Sequence, residues 1–193
     1  IIGCGNMGSG MARTLRKKKC SVFCYDKSPQ ALNGLEQVGC TKVASANDLA
    51  EFCSLIILSL PTAEIVKETV ESIHESIKAE TVVLDTSTSK PETTKILAKL
   101  ATRSNYKFID GPVSGGPIAA NSGEMAMLLG GNEADINSIR PILDILTSKT
   151  VIVGPSGAGH AAKIANNMLC AANLILVSEV VKLGEEIGIE AFD

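Results

Sequence analysis

Along the chain, short runs rich in β-branched and other apolar residues alternate with stretches whose apolar positions recur every three to four residues. The runs fall at 21–25, 54–60, 81–85, 106–110, 124–130 and 150–153. The helix-period stretches fall near 8–18, 29–37, 62–78, 91–103 and 133–147. Within the runs apolar residues are nearly continuous, the pattern of strands buried on both faces, and strands separated by helices pair in parallel. The expected fold is therefore α/β, a Rossmann-like doubly wound and mostly parallel sheet. Ser28-Pro29, Pro61-Thr62 and Ser89-Lys90-Pro91 mark helix starts, because each places a hydroxyl or a proline where unpaired amides begin.

Beyond residue 154 the pattern changes. From Ala158 to about Ile187 there is no strand signal and no proline. About 30 helical residues would span roughly 45 Å, and a helix that is apolar all round is buried or links two domains. The division predicted is an α/β domain over 1–154, with 155–193 forming a helix that is buried or links to a second domain. The boundary lies at Gly154-Pro155-Ser156-Gly157.

Composition narrows the function classes. The residues are 45% hydrophobic and 20% charged, with a net charge of −3. Without a basic excess, and with aromatic residues at 3%, the chain lacks the footprint of a nucleic-acid binder. Uninterrupted aliphatic runs stay below the roughly 20 residues of a membrane span, so no membrane partner is expected. Cys4, Cys20, Cys24, Cys40, Cys53 and Cys170 form no C-x-x-C pair, and His74 and His160 stand apart from them. These cysteines read as reduced core residues and no metal site is expected. His74, in a charge-rich helix, is expected to be exposed. Both ends read as cut, since Ile1-Ile2 runs directly into Gly3 with almost none of a first strand.

Gly3-Cys4-Gly5-Asn6-Met7-Gly8 is a G-x-G-x-x-G between a strand remnant and a helix. Gly3 permits a tight turn, Gly5 lets backbone approach a pyrophosphate, and Gly8 allows close helix–strand packing, with phosphates on the helix amides. On its own the motif is also an ordinary glycine-rich turn. Asp26 ends the next strand 18 positions after Gly8, near the spacing of the acid that takes the ribose hydroxyls. A carboxylate there repels a 2′-phosphate and favours NAD over NADP, although Lys27 follows it; the competing reading is a loop aspartate capping the helix from Ser28. Leu60-Pro61-Thr62 and Asp85-Thr86-Ser87-Thr88 end two more strands, where ligands of open α/β sheets bind. Both also serve as plain turn chemistry, with Ser89 the expected helix cap.

On the substrate side, Asp110-Gly111-Pro112-Val113-Ser114-Gly115-Gly116-Pro117 exposes a hydroxyl and unshielded amides suited to a small carboxylate; the alternative is a Pro/Gly turn. Lys163 and Asn167 are four apart and share a helix face, whereas Asn166 is turned away toward packing or solvent. Their neighbours are Ala, Ile, Met and Leu, a setting in which an ammonium is costly without a task. The alternative is a lysine whose stem lies on the surface with its head in water. His160, three residues before Lys163, reads as a polar residue of the first helical turn.

These five motifs, in this order and covering nearly the whole chain, resemble the β-hydroxyacid dehydrogenases. Lys163-Ile164-Ala165-Asn166-Asn167-Met168-Leu169 is most similar to their 3-hydroxyisobutyrate dehydrogenase branch. The resemblance implies a pyrophosphate loop of Gly3, Gly5, Asn6, Met7 and Gly8, a ribose contact at Asp26, and further cofactor contacts at Leu60, Pro61 and Thr88. It implies a substrate site of Ser114, Gly115 and Gly116, with Lys163 as acid/base and Asn167 orienting the hydroxyl. It implies hydride transfer from a 3-hydroxycarboxylate to NAD, an all-α second domain, homo-oligomers at full length, and location in the mitochondrial matrix in a eukaryote or the cytoplasm otherwise. A sibling reductase of tartronate semialdehyde, succinic semialdehyde or glyoxylate, and a non-catalytic NAD-binding module, are the competing readings. A 6-phosphogluconate dehydrogenase is disfavoured, because no basic cluster accompanies the V-S-G-G turn.

Overall fold

A computed structural model of the chain describes residues 1–189. Strands β1 (Phe23–Cys24), β2 (Thr41–Lys42), β3 (Leu55–Leu58), β4 (Val82–Asp85) and β5 (Lys107–Asp110) run parallel where they pair. Ile2 bridges Tyr25 on one side and Leu58 on the other, both in parallel, so it stands as the central strand between β1 and β3. The resulting order is β2, β1, Ile2, β3, β4, β5, with the chain reversing direction of growth at Ile2. That reversal is the switch point of a doubly wound sheet.

Alternation along the strands explains both hydrophobic layers. Ile57, Leu84 and Ile109 project to one face, where they meet Met11 and Leu15 of α1 (Asn6–Lys17). Ile56, Leu58, Val83 and Phe108 project to the other, against α2 (Ala46–Phe52), α3 (Ala63–Ile73) and α4 (Pro91–Arg103). Successive residues of a strand point to opposite sides. A strand apolar at every position is therefore buried twice, each such side chain contributing about 1.5–3 kcal/mol.

The sheet departs from the mostly parallel expectation at its far edge. There β7 (Met125–Gly130) runs antiparallel to β5 and to β6 (Val113–Ser114), and parallel to β8 (Thr147–Gly154). The Gly111–Gly116 segment and short α5 (Gly116–Ser122) reverse the chain without a full crossover helix. Several local expectations are also corrected. Residues 29–37 form only a 3-10 turn at Pro29–Leu32, since Gly34 and Gly39 adopt φ of 76° and 89°. The 133–147 stretch is two helices, α6 (Glu133–Ser138) and α7 (Arg140–Leu146), because Pro141 can open a helix but not continue one. Lys90, not Ser89, is the N-cap of α4; the Ser89 hydroxyl donates to Asp85 Oδ2 at 2.8 Å. Cys170 is exposed rather than in the core, and His74 is half-buried at the end of α3.

The long helix α8 (Ala158–Glu186) has the predicted extent. Gly159, His160 and Lys163 are its buried residues, all in its first two turns; Met168, Leu174, Ile175 and Val180 are exposed. By length and composition it could cross a membrane, with a mean hydropathy of 1.6 over its most apolar window. Run-length reading missed this because Asn166, Asn167 and Asn173 interrupt the aliphatic residues without breaking the helix. Residues 190–193, the end of the predicted second unit, lie outside those described.

Candidate active site

The glycine loop sits where Ile2 leaves the sheet. Gly3 has φ of 90°, and a Cβ built there would lie 2.3 Å from Ser59 O. At Gly8 a Cβ would lie 1.9 Å from Gly3 O. Neither position can hold a side chain without moving backbone. Gly5 differs: nothing lies within 4 Å of its added Cβ, so the space over it is free for a ligand. α1 begins at Asn6 with no side-chain cap and no acid in its first turn. Its leading amides are thus left for an anion. Asp26 closes the loop from β1: its Oδ2 accepts the Cys4 N–H at 2.7 Å and its Oδ1 accepts Ser28 N–H at 2.8 Å. A carboxylate offers about four acceptor positions, which leaves capacity for hydroxyls. Gly3, Gly5, Asn6, Asp26 and Leu60 line a cavity of about 840 Å³. This open loop, its uncapped helix and an acid at the rim together fit a dinucleotide.

A second cavity of about 560 Å³ shares Met7, Leu60 and Pro61 with the first. Thr88, Ser114, Gly115, Gly116, Lys163 and Asn167 line it. Lys163 is 9% exposed and its Nζ donates to Ser114 Oγ at 2.6 Å. Gly115 and Gly116, with φ of 118° and 66°, turn the chain from β6 into α5. Asn166 corrects the expectation that it faces away: it lines this cavity too, as does Cys170, because the wall of α8 is wider than a single stripe. Among the described residues no cluster of three metal-ligating side chains forms.

The loops around the cavity are tied by residues that sequence reasoning left unassigned. Ser87 Oγ accepts the Leu60 N–H at 2.9 Å, and the Thr86 hydroxyl donates to Leu58 O at 2.6 Å, so the ends of β3 and β4 move together. Asp110, fully buried, accepts Gly157 N–H at 2.8 Å on Oδ1 and His160 N–H at 3.0 Å on Oδ2. It thereby caps α8 from the end of β5. Burial holds this carboxyl above the usual carboxylate range, opposed by those amides and by the His160 ring. Gly159 makes the approach feasible, since a Cβ there would lie 2.5 Å from Leu128 O and 2.8 Å from Asp110 Oδ2. His160 is wholly buried, not merely a polar residue of the first turn. The available signal was an acid ending an apolar strand together with a distant G-x-G at a helix start.

Residues 1–154 match the protein family described as the NAD binding domain of 6-phosphogluconate dehydrogenase. The chain belongs to that family, the cofactor domain of the β-hydroxyacid dehydrogenases. It is 36% identical over 193 residues to mitochondrial 3-hydroxyisobutyrate dehydrogenase of Homo sapiens, covering 98% of this chain and 57% of that protein. It is 32% identical to 2-(hydroxymethyl)glutarate dehydrogenase of Eubacterium barkeri, covering 98% and 64% respectively. The solved structure of Mycobacterium tuberculosis 3-hydroxyisobutyrate dehydrogenase with L-serine superposes with a TM-score of 0.95 at 31% identity. That comparison covers 98% of this chain and 65% of the solved one, so α8 has a counterpart there. The chain spans 57% to 64% of the length of these curated relatives.

Proposed function

We propose that the full-length protein is an NAD-dependent dehydrogenase of a small 3-hydroxycarboxylate, with 3-hydroxyisobutyrate, oxidised to methylmalonate semialdehyde, as the leading substrate. The observation that carries this reading is the 2.6 Å contact between Lys163 Nζ and Ser114 Oγ in a cavity that shares Met7, Ser59, Leu60 and Pro61 with the dinucleotide groove. Bound NAD supplies the hydride acceptor. The chain's own residues do the rest. Gly3, Gly5, Asn6, Met7 and Gly8 would hold the pyrophosphate and Asp26 the adenosine ribose, with Leu60, Pro61 and Thr88 as further cofactor contacts. The Ser114 hydroxyl and the amides of Gly115 and Gly116 hold the substrate carboxylate, and Asn167, one turn beyond Lys163, orients the hydroxyl. As the C–H bond at the carbinol carbon breaks with its electron pair and the carbonyl forms, Lys163 Nζ takes the hydroxyl proton, and it returns that proton in reduction. Binding at two points fixes the carbinol carbon toward the cofactor.

Residues 1–154 then form the cofactor domain and 155–193 the interdomain helix and the start of an all-α domain. The exposed apolar flank of α8 supports further packing there, including homo-oligomers. Eukaryotic relatives carry mitochondrial names, which supports the matrix as the location in a eukaryote. A second reading keeps the chemistry and changes the substrate. The relative named for 2-(hydroxymethyl)glutarate and the solved relative with L-serine, itself a 3-hydroxycarboxylate, both favour testing wider substituents at C2. Steady-state kinetics of the full-length protein is the test, with 3-hydroxyisobutyrate, serine and 2-(hydroxymethyl)glutarate each oxidised with NAD or NADP, and tartronate semialdehyde and succinic semialdehyde each reduced with NADH or NADPH. The highest kcat/KM is expected for 3-hydroxyisobutyrate with NAD. A higher value for another compound moves the substrate, and no turnover with any of them leaves a binding module.

A further inference from the structure

His160 is 0% exposed and meets four parts of the site at once. Its Nε2 lies 3.0 Å from Ser87 O, and since a carbonyl only accepts, Nε2 carries the hydrogen. Its Nδ1 lies 2.7 Å from Thr94 Oγ1 on α4. Asp85 Oδ2 is 3.7 Å from Nε2, and Asp110 Oδ2 is 4.0 Å from Nδ1. The backbone N–H of His160 completes the set by donating to Asp110 Oδ2 at 3.0 Å. The partners are not scattered. Ser87 also takes the Leu60 N–H and precedes Thr88 on the cofactor side. Asp110 lies four residues before Ser114 on the substrate side. Lys163 is one helical turn after His160.

We infer that His160 is a positioning residue: it fixes the first turn of α8 against the ends of β4 and β5 and so sets the reach of Lys163 to Ser114. This rests on the dehydrogenase reading above. Lys163 Nζ has Ser114 Oγ as its hydrogen-bonding partner, so the placement of that amine is left to its helix. The imidazole is the side chain through which the helix start grips the 85–89 loop and α4. Without it, Ser87 O loses its donor and Thr94 Oγ1 its ring partner in a site closed to water, and the turn bearing Lys163 is free to shift. An ångström of misplacement costs about 100-fold in rate.

The test is a double-mutant cycle in the full-length protein. His160→Ala is expected to lower kcat about 30- to 100-fold, with KM for NAD changed less than about twofold. His160→Gln, whose amide can donate to Ser87 O and accept from Thr94, is expected to return kcat to within about threefold of the parent. Thr94→Val, which trims one contact and keeps the protein folded if His160→Ala does not, is expected to lower kcat about fivefold. Combined with Lys163→Ala, either variant should cost nothing further in the residual turnover. Unchanged kcat in a folded His160→Ala protein, or an equal loss in the Lys163→Ala background, overturns the inference. If Lys163→Ala alone leaves turnover intact, the dehydrogenase reading itself has failed, which is a separate result.

Discussion

The two halves of the groove are built by opposite means. On the adenosine side the working feature is the absence of side chains: Gly3 and Gly8 let backbone cross backbone, and Gly5 leaves open space above a helix start. On the Lys163 side the working feature is a buried polar cluster, in which Asp85, Asp110, Ser87, Thr94 and His160 bond to one another and to Ser89, Gly157 and Leu60. The first solution tolerates almost no added atom and the second almost no removed one. That difference fits the roles proposed for the two halves. A pyrophosphate needs amides and room, whereas proton transfer needs one amine held still.

Substitution by a single methyl group separates the roles within the first half. Gly8→Ala is expected to have the largest effect, because its Cβ would lie 1.9 Å from Gly3 O and backbone must move. We expect a destabilisation of several kcal/mol, about 3 or more, read as lost soluble expression or a much lower Tm. Gly5→Ala meets nothing within 4 Å and should leave Tm within a few degrees while weakening NAD binding about 10-fold or more, by calorimetric titration. A Gly5→Ala protein that binds NAD as the parent does would show that the loop is only a turn.

In the second half the sharper probe is Asp110→Asn. An amide presents one acceptor oxygen where the carboxylate presents two, so one of Gly157 N–H and His160 N–H loses its partner, at a cost of about 1–3 kcal/mol. The pH dependence carries a sign. Because burial raises the Asp110 carboxyl, the folded chain binds this proton more tightly than the unfolded chain. Its stabilising contribution is full below the unfolded value and is lost as pH rises through the folded one. The stability gap between parent and Asp110→Asn should therefore widen on acidification through that range, in denaturant titrations at a series of pH values. A gap that narrows instead would mean that the amides and the His160 ring outweigh burial.

What was legible in the sequence divides along the same line. The glycine loop, the acid at the end of β1, the strand ends at Leu60 and Thr88, and the Ser114 and Lys163 motifs are local patterns, and each can be read from a few adjacent residues. The long helix was legible because nothing within it breaks the helix. The two-residue β2 is shorter than any hydropathy period, and α5 opens on Gly115 and Gly116, which read as a loop. The helix α2 carries a readable capping box at Ser45 and Asp48, but its seven residues are too few to show a repeating apolar stripe. Least legible was the polar cluster. Asp110 and His160 are 50 positions apart, and a buried histidine satisfied by distant partners has no local signature. Ser89 shows the converse error, a good cap by composition that a buried carboxylate claims instead.

The most direct test of the central claim is Lys163→Ala in the full-length protein, with turnover of 3-hydroxyisobutyrate and NAD binding measured on the same sample. The account predicts kcat lower by several orders of magnitude with cofactor affinity nearly unchanged, since Lys163 lies in the cavity beside Ser114 and not among the residues of the dinucleotide cavity. Undiminished turnover in that variant would contradict it.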